Sequence, residues 1–216
     1  MSKVDAVWVV GRMTIEPLTR LFAPLKSYGA ERVPLEGGVV LAFNHFSWID
    51  PPAFGSACPR TIHYLAKSEI HSHFGLGHLI RAFGARSVRR GESDREAIRA
   101  MREIVRDGDA LGLFVEGTRQ KNRMPGAAMP GAAMVALQED VPVVPAAIYG
   151  SQFWQLGNFH PVSIAWGEPM RFEGIPSTGK GYRAGSALIQ DEIHRLWRWL
   201  GGMHENGRPD FATPPP

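Results

Sequence analysis

Val39-Val40-Leu41-Ala42-Phe43, followed at once by Asn44-His45-Phe46-Ser47-Trp48-Ile49-Asp50, is the stretch that decides how this chain reads. Five apolar residues without alternation predict a strand buried on both faces. The strand stops abruptly at Asn-His, with an Asp five residues after the His. Polar chemistry therefore stands at the end of a rigid element. Pro51-Pro52 then opens a helix, because proline is tolerated in the first helical turn. A second stretch has the same form: an apolar run from Ala110 to Val115 leads into Glu116-Gly117-Thr118-Arg119. Two strand ends of this kind predict one shared site.

Strands and helices alternate outward from these two points. Strands are expected over 39–43, 61–66, 84–88, 110–115, 141–148 and 162–166. Helices are expected after Pro51, over 76–83, from a Ser93-x-x-Glu96 capping box to a Gly108 stop, over 131–139 and over 186–200. The alternation predicts an α/β fold with a mixed, largely parallel central sheet flanked by helices. Residues 1–30 read as an N-terminal amphipathic helical segment, 31–204 as the main domain and 205–216, ending in three prolines, as a disordered tail. The tandem Pro125-Gly-Ala-Ala-Met129 and Pro130-Gly-Ala-Ala-Met134 is too short for a repeat fold. It reads as a loop followed by a helix start.

Composition narrows the classes. The 216 residues carry 44% hydrophobic residues and a net charge of only +3, which argues against nucleic acid as a partner and against disorder. The charge is uneven: residues 81–106 hold eight arginines against four acidic residues. Such a patch suits phosphate or an anionic membrane, or is simply a solvated helix face. Cys58 is the single cysteine, which excludes an intrachain disulfide and fits a reducing compartment. It reads as a small buried residue. No apolar run is long enough for a membrane span, and the N-terminus lacks a secretory signature. The N-terminal segment either lies on a membrane surface or packs on the core.

The two motifs carry different chemistry. Histidine exchanges protons near neutrality, and a carboxylate on one ring nitrogen leaves the other free to accept one. His45 and Asp50 suit that pairing if the chain turns between them; otherwise Asp50 is a helix N-cap. Glu116-Gly117-Thr118-Arg119 offers a glycine for close approach, a hydroxyl and a guanidinium, which suits a phosphate cradle as well as an ordinary polar turn. No Gly-x-Ser-x-Gly elbow is present, and no His/Cys set has metal-ligand spacing.

Four ordered blocks resemble the glycerolipid acyltransferase family, which includes 1-acylglycerol-3-phosphate acyltransferases. They are Asn44-His45-x4-Asp50, Gly84 to Arg90, Phe114-Val115-Glu116-Gly117-Thr118-Arg119, and Val141-Pro142-Val143-Val144-Pro145. The second departs from the family pattern, with Arg89 where Asp is usual, and Val115 replaces a usual Pro in the third. The resemblance implies transfer of a fatty acyl group from a thioester to a lysophosphatidic acid-type hydroxyl in phospholipid biosynthesis. It implies His45 as base and Asp50 as its orienting partner. Arg90, Gly117, Thr118 and Arg119 would hold phosphate, Glu116 would order the loop or touch the glycerol, and Pro145 would shape a wall. Phe74, Leu76, Leu79, Ile80 and Phe83 are candidates for an acyl channel or plain core. No cofactor is expected beyond an acyl-CoA or acyl carrier protein thioester as co-substrate. The partners expected are that donor, a phosphorylated glycerolipid and a membrane surface met peripherally on its cytoplasmic face. Another lysophospholipid or glycolipid acceptor, or a non-enzymatic anionic-lipid-binding role, are the alternatives.

Overall fold

A computed structural model describes residues 23–67, 86–88 and 94–216, the side chains of 65–67, 86–88 and 94 excepted. Seven strands lie within the described residues: β1 (Leu25–Tyr28), β2 (Val39–Phe43), β3 (Ile62–Lys67), β4 (Arg86–Val88), β5 (Ala110–Phe114), β6 (Val143–Tyr149) and β7 (Val162–Trp166). They form one sheet in the order β1-β7-β6-β2-β5-β3-β4. Among the described strands, only the β6–β7 pairing is antiparallel. The α-helices among the described residues are α1 (Asp50–Ala57), α2 (Asp94–Arg106), α3 (Gly131–Glu139) and α4 (Gly179–Glu205).

β2 sits at the centre because all five of its side chains are apolar, and all five are buried. Val39, Leu41 and Phe43 face α1 through Ala53 and Phe54, while Val40 and Ala42 face α2, α3 and α4. The chain leaves β2 toward β3 on one side and leaves β5 toward β6 on the other. The two connections therefore run over opposite faces, as right-handed crossovers require. Such a reversal of strand order leaves a crevice outside the carboxyl ends of the strands, where α/β folds bind ligands.

Three expectations change. Residues 25–28 of the expected N-terminal helical segment are the edge strand β1, paired with β7 from Leu25↔Val162 to Tyr28↔Ala165; residues 1–22 lie outside the described residues. The last helix begins at Gly179 rather than 186, with the Thr178 side chain accepting from Gly181 N. Its glycine-rich first turns are poor helix formers, which hid them. The C-terminal tail is held rather than free. Tyr28 donates its hydroxyl to Pro209 O, Arg32 donates to Pro214 O and Pro215 O, and Lys26 pairs with Asp210. Proline carbonyls are strong acceptors, and here they satisfy a guanidinium that is itself mostly buried.

Candidate active site

Strand register brings the two motifs together. Phe43 of β2 lies opposite Phe114 of β5, so His45 and Glu116 each stand two residues beyond that pair. Val115 N donates to Phe43 O, and Gln120 N donates to His45 O at 2.8 Å, which ties the two loops along their backbones.

The first loop is organised by one carboxylate oxygen. Asp50 Oδ2 accepts from Phe46 N at 2.6 Å and from Ser47 N at 2.8 Å, and lies 2.8 Å from His45 Nδ1. Asp50 is fully buried. It does not act as the helix N-cap: α1 starts at Asp50 itself, and no side chain caps the helix. The carboxylate instead points back over the loop and holds the imidazole. The ring is further fixed by stacking on Phe114, with centroids 4.1 Å apart and planes 25° from parallel. Nε2 has no hydrogen-bond partner among the described residues, and no Ser or Cys side chain bonds to the ring.

The second loop is held by Glu116. Its Oε2 accepts from His45 N at 2.7 Å and its Oε1 from Gly126 N at 2.8 Å. Both oxygens are thus used in joining His45 to the first Pro-Gly-Ala-Ala-Met copy. Met129 N donates to Val115 O at 2.7 Å and closes the same loop, and the second copy starts α3. Burial pushes the Glu116 carboxyl up from 4.5 to about 7, against the two backbone N–H bonds that lower it. Gly117 has φ +69°, and a Cβ there would lie 2.7 Å from Met129 Sδ. That turn therefore needs glycine. Gly117, Thr118 and Arg119 are exposed at its tip.

The structure thus brings together His45, Asp50 and Glu116, with the Gly117-Thr118-Arg119 tip one residue from the Gln120 tether. It places Pro145 elsewhere: in β6, level with Ala42, inside the sheet. Pairing between β6 and β7 passes from Ala146↔Trp166 to Val143↔Met170 with one extra residue on the β7 side. Proline has no N–H to donate and is accommodated at such a bulge, where its carbonyl still accepts from Gly167 N. Arg90 and the acyl-channel candidates 74–83 lie outside the described residues. Within the basic stretch, Arg102 and Arg106 both pair with Glu139 and Arg99 pairs with Glu103, so this part of the patch is satisfied internally.

Asn44 stands in the first motif without a role of its own, and the structure supplies one. It is fully buried. Its side chain donates to Ile148 O at 3.1 Å and accepts from Ile148 N at 2.8 Å, stitching the end of β2 to β6. An amide that continues a buried strand was the available signal, since such a group must find partners.

At the carboxyl end of the central strand of this α/β sheet a buried carboxylate holds a histidine, an arrangement suited to general-base chemistry. A family model described as Acyltransferase matches residues 24–149. Over 158 residues the chain is 30% identical to the 1-acyl-sn-glycerol-3-phosphate acyltransferase of Bacillus subtilis (strain 168), covering 71% of this chain and 78% of that protein. Over 133 residues it is 32% identical to a probable 1-acyl-sn-glycerol-3-phosphate acyltransferase of Mycoplasma pneumoniae, covering 56% of this chain and 47% of that one. The crystal structure of the 1-acyl-sn-glycerophosphate (LPA) acyltransferase PlsC from Thermotoga maritima shares the fold, with a TM-score of 0.72 at 22% identity over 97% of this chain and 81% of that one. The chain belongs to the acyltransferase family.

Proposed function

We propose that the protein transfers a fatty acyl group from an acyl-CoA or acyl carrier protein thioester to the free hydroxyl of a 1-acylglycerol-3-phosphate, a step of phospholipid biosynthesis. The observation that carries this reading is the 2.8 Å contact between His45 Nδ1 and Asp50 Oδ2, with Nε2 left as the acceptor nitrogen. Nε2 takes the proton of the acceptor hydroxyl as its oxygen attacks the thioester carbonyl. The new C–O bond forms, the C–S bond breaks, and the thiolate leaves with the proton returned from the imidazolium. Asp50 keeps the tautomer and stabilises the imidazolium. The thioester is already activated, so no acyl-enzyme is required.

Thr118 and Arg119, on the exposed turn that Gly117 permits, are proposed to hold the acceptor phosphate, with Arg90 joining them. Glu116 orders the two loops; its two N–H bonds favour that role over contact with the glycerol. No helix among the described residues is long and apolar enough to cross a membrane. The proposed encounter with the acceptor is peripheral, at the cytoplasmic face of the bilayer.

Thioester consumption measured against a panel of lysolipids tests the reading. Consumption that depends on 1-acylglycerol-3-phosphate, with product ester recovered, is the expected result. Consumption that no phosphorylated acceptor stimulates would overturn it.

A further inference from the structure

Among the described residues, three loops converge at the carboxyl end of the sheet: residues 44–49 after β2, 115–130 after β5 and 150–161 between β6 and β7. The third is built to present apolar side chains outward. Asn158 Oδ1 accepts from Gln155 N at 3.1 Å and from His160 N at 3.0 Å, while its Nδ2 donates to Phe153 O at 2.9 Å. The base is closed by Gly150, where φ is +95° and a Cβ would lie 2.1 Å from Pro161 O. On this knot, Leu156 is 74% exposed and Phe159 49% exposed. Phe159 has φ +49°, an uncommon and strained conformation for an aromatic residue.

Neighbouring loops extend the same surface. Trp48, from the catalytic loop, is 60% exposed and packs edge-on against Trp154 at 5.1 Å. The Arg123 guanidinium lies over the Phe153 ring at 5.3 Å, and Met124 beside it is 57% exposed. Isolated exposed apolar residues are ordinary; a set held by hydrogen bonds and ring contacts across three loops is not. Charge complements the apolar set. Lys121 and Arg123 are exposed, and residues 117–130 and 150–161 contain no Asp or Glu. The 44–50 loop contributes only Asp50, which is buried. Strand β1 also begins at this edge, where Val162 N donates to Pro24 O at 3.1 Å.

We propose that the 150–161 loop, with Trp48 and the 121–124 turn, is a membrane-docking surface that seats the mouth of the site on an anionic bilayer. Leu156, Phe159 and Trp48 enter the headgroup region while Lys121 and Arg123 meet anionic headgroups. Trp48 lies between His45 and Asp50 in sequence, so docking sets the catalytic loop against the lipid surface. The purpose of the surface rests on the proposed lipid acceptor; the docking is read from the surface itself.

The test is co-sedimentation of the full chain with vesicles of phosphatidylcholine and phosphatidylglycerol at low salt. Leu156→Ser combined with Phe159→Ser should lower vesicle affinity about tenfold or more. Lys121→Glu combined with Arg123→Glu should remove much of the salt-sensitive part of binding, about tenfold at low salt. Turnover on a water-dispersed short-chain acceptor should stay within a few-fold of wild type in both variants. Brominated lipid should quench tryptophan emission in the wild type, and Trp48→Phe should abolish most of that quenching. The quenching arm needs only proteins that fold normally, as checked by circular dichroism. Vesicle binding unchanged in both double variants, or quenching unchanged by Trp48→Phe, overturns the proposal. So does a wild-type dimer in sedimentation velocity that Leu156→Ser and Phe159→Ser dissolve, which would make the patch an interface between copies. Vesicle binding is read without any acyl transfer, so failure of this surface and failure of the proposed reaction are separate results.

Discussion

The loop after β2 is fastened at its tip, whereas the loop after β5 is fastened at its stem. In the first, one oxygen of a fully buried Asp50 holds two backbone N–H groups and the His45 ring. In the second, Glu116, Gln120 and Met129 tie the stem, and Gly117, Thr118 and Arg119 stand exposed beyond it. The difference matches what each is proposed to do. A general base must lie within hydrogen-bond reach of one particular proton, so its ring has to be fixed before substrate arrives. A phosphate is met by charge, whose pull extends further and tolerates a side chain that settles on binding.

This contrast can be broken by substitution on either side. The largest effect is expected from Asp50→Asn, which removes the charge that stabilises the imidazolium while nearly keeping its shape. Turnover should drop by roughly 10²–10⁴-fold with KM little changed. A loss confined to acceptor KM would mean that the first loop binds rather than catalyses. Next comes Arg119→Ala, where a lost charge-assisted contact should weaken acceptor binding by about 1.5–3 kcal/mol. The acceptor KM should rise while the donor KM stays put; equal weakening of both would remove the phosphate assignment.

The smallest effect concerns the stem. Burial raises the Glu116 carboxyl to about 7. Between its unfolded value and 7 the folded protein therefore binds more protons than the unfolded chain. By linkage, this group's contribution to stability falls as pH rises through that window. The slope is at most about 1.4 kcal/mol per pH unit inside that window. Chemical denaturation at several pH values should show that slope in the wild type and a flatter one in Glu116→Gln. An equal slope in both would show that Glu116 is not the group responsible.

Local patterns in the sequence carried the centre of this fold, and long-range contacts carried its edges. The uninterrupted apolar run at 39–43 and the small-residue helix at 131–139 have boundaries that their own residues impose, and both appear as expected. β1 did not. Leu25-Lys26-Ser27-Tyr28 is short and half polar, and it becomes a strand only by pairing with β7, far along the chain. The tail's order depends on Arg32 reaching proline carbonyls, which no composition reveals. At the site, the spacing of His45 and Asp50 left base and helix cap both open. The geometry excludes the helix cap, because the carboxylate turns back over its own loop instead of forward onto the helix. The tie from Glu116 to His45 N follows from the register of Phe43 and Phe114. Register is a property of the assembled sheet, so neither motif alone could show it.

The central claim is that His45, held by Asp50, is the base for acyl transfer. Turnover of an acyl thioester with 1-acylglycerol-3-phosphate by His45→Ala tests it most directly, with folding checked by an unchanged thermal transition. The account predicts a fall of roughly 10²–10⁴-fold in kcat at intact acceptor affinity. Turnover within a few-fold of wild type would contradict it.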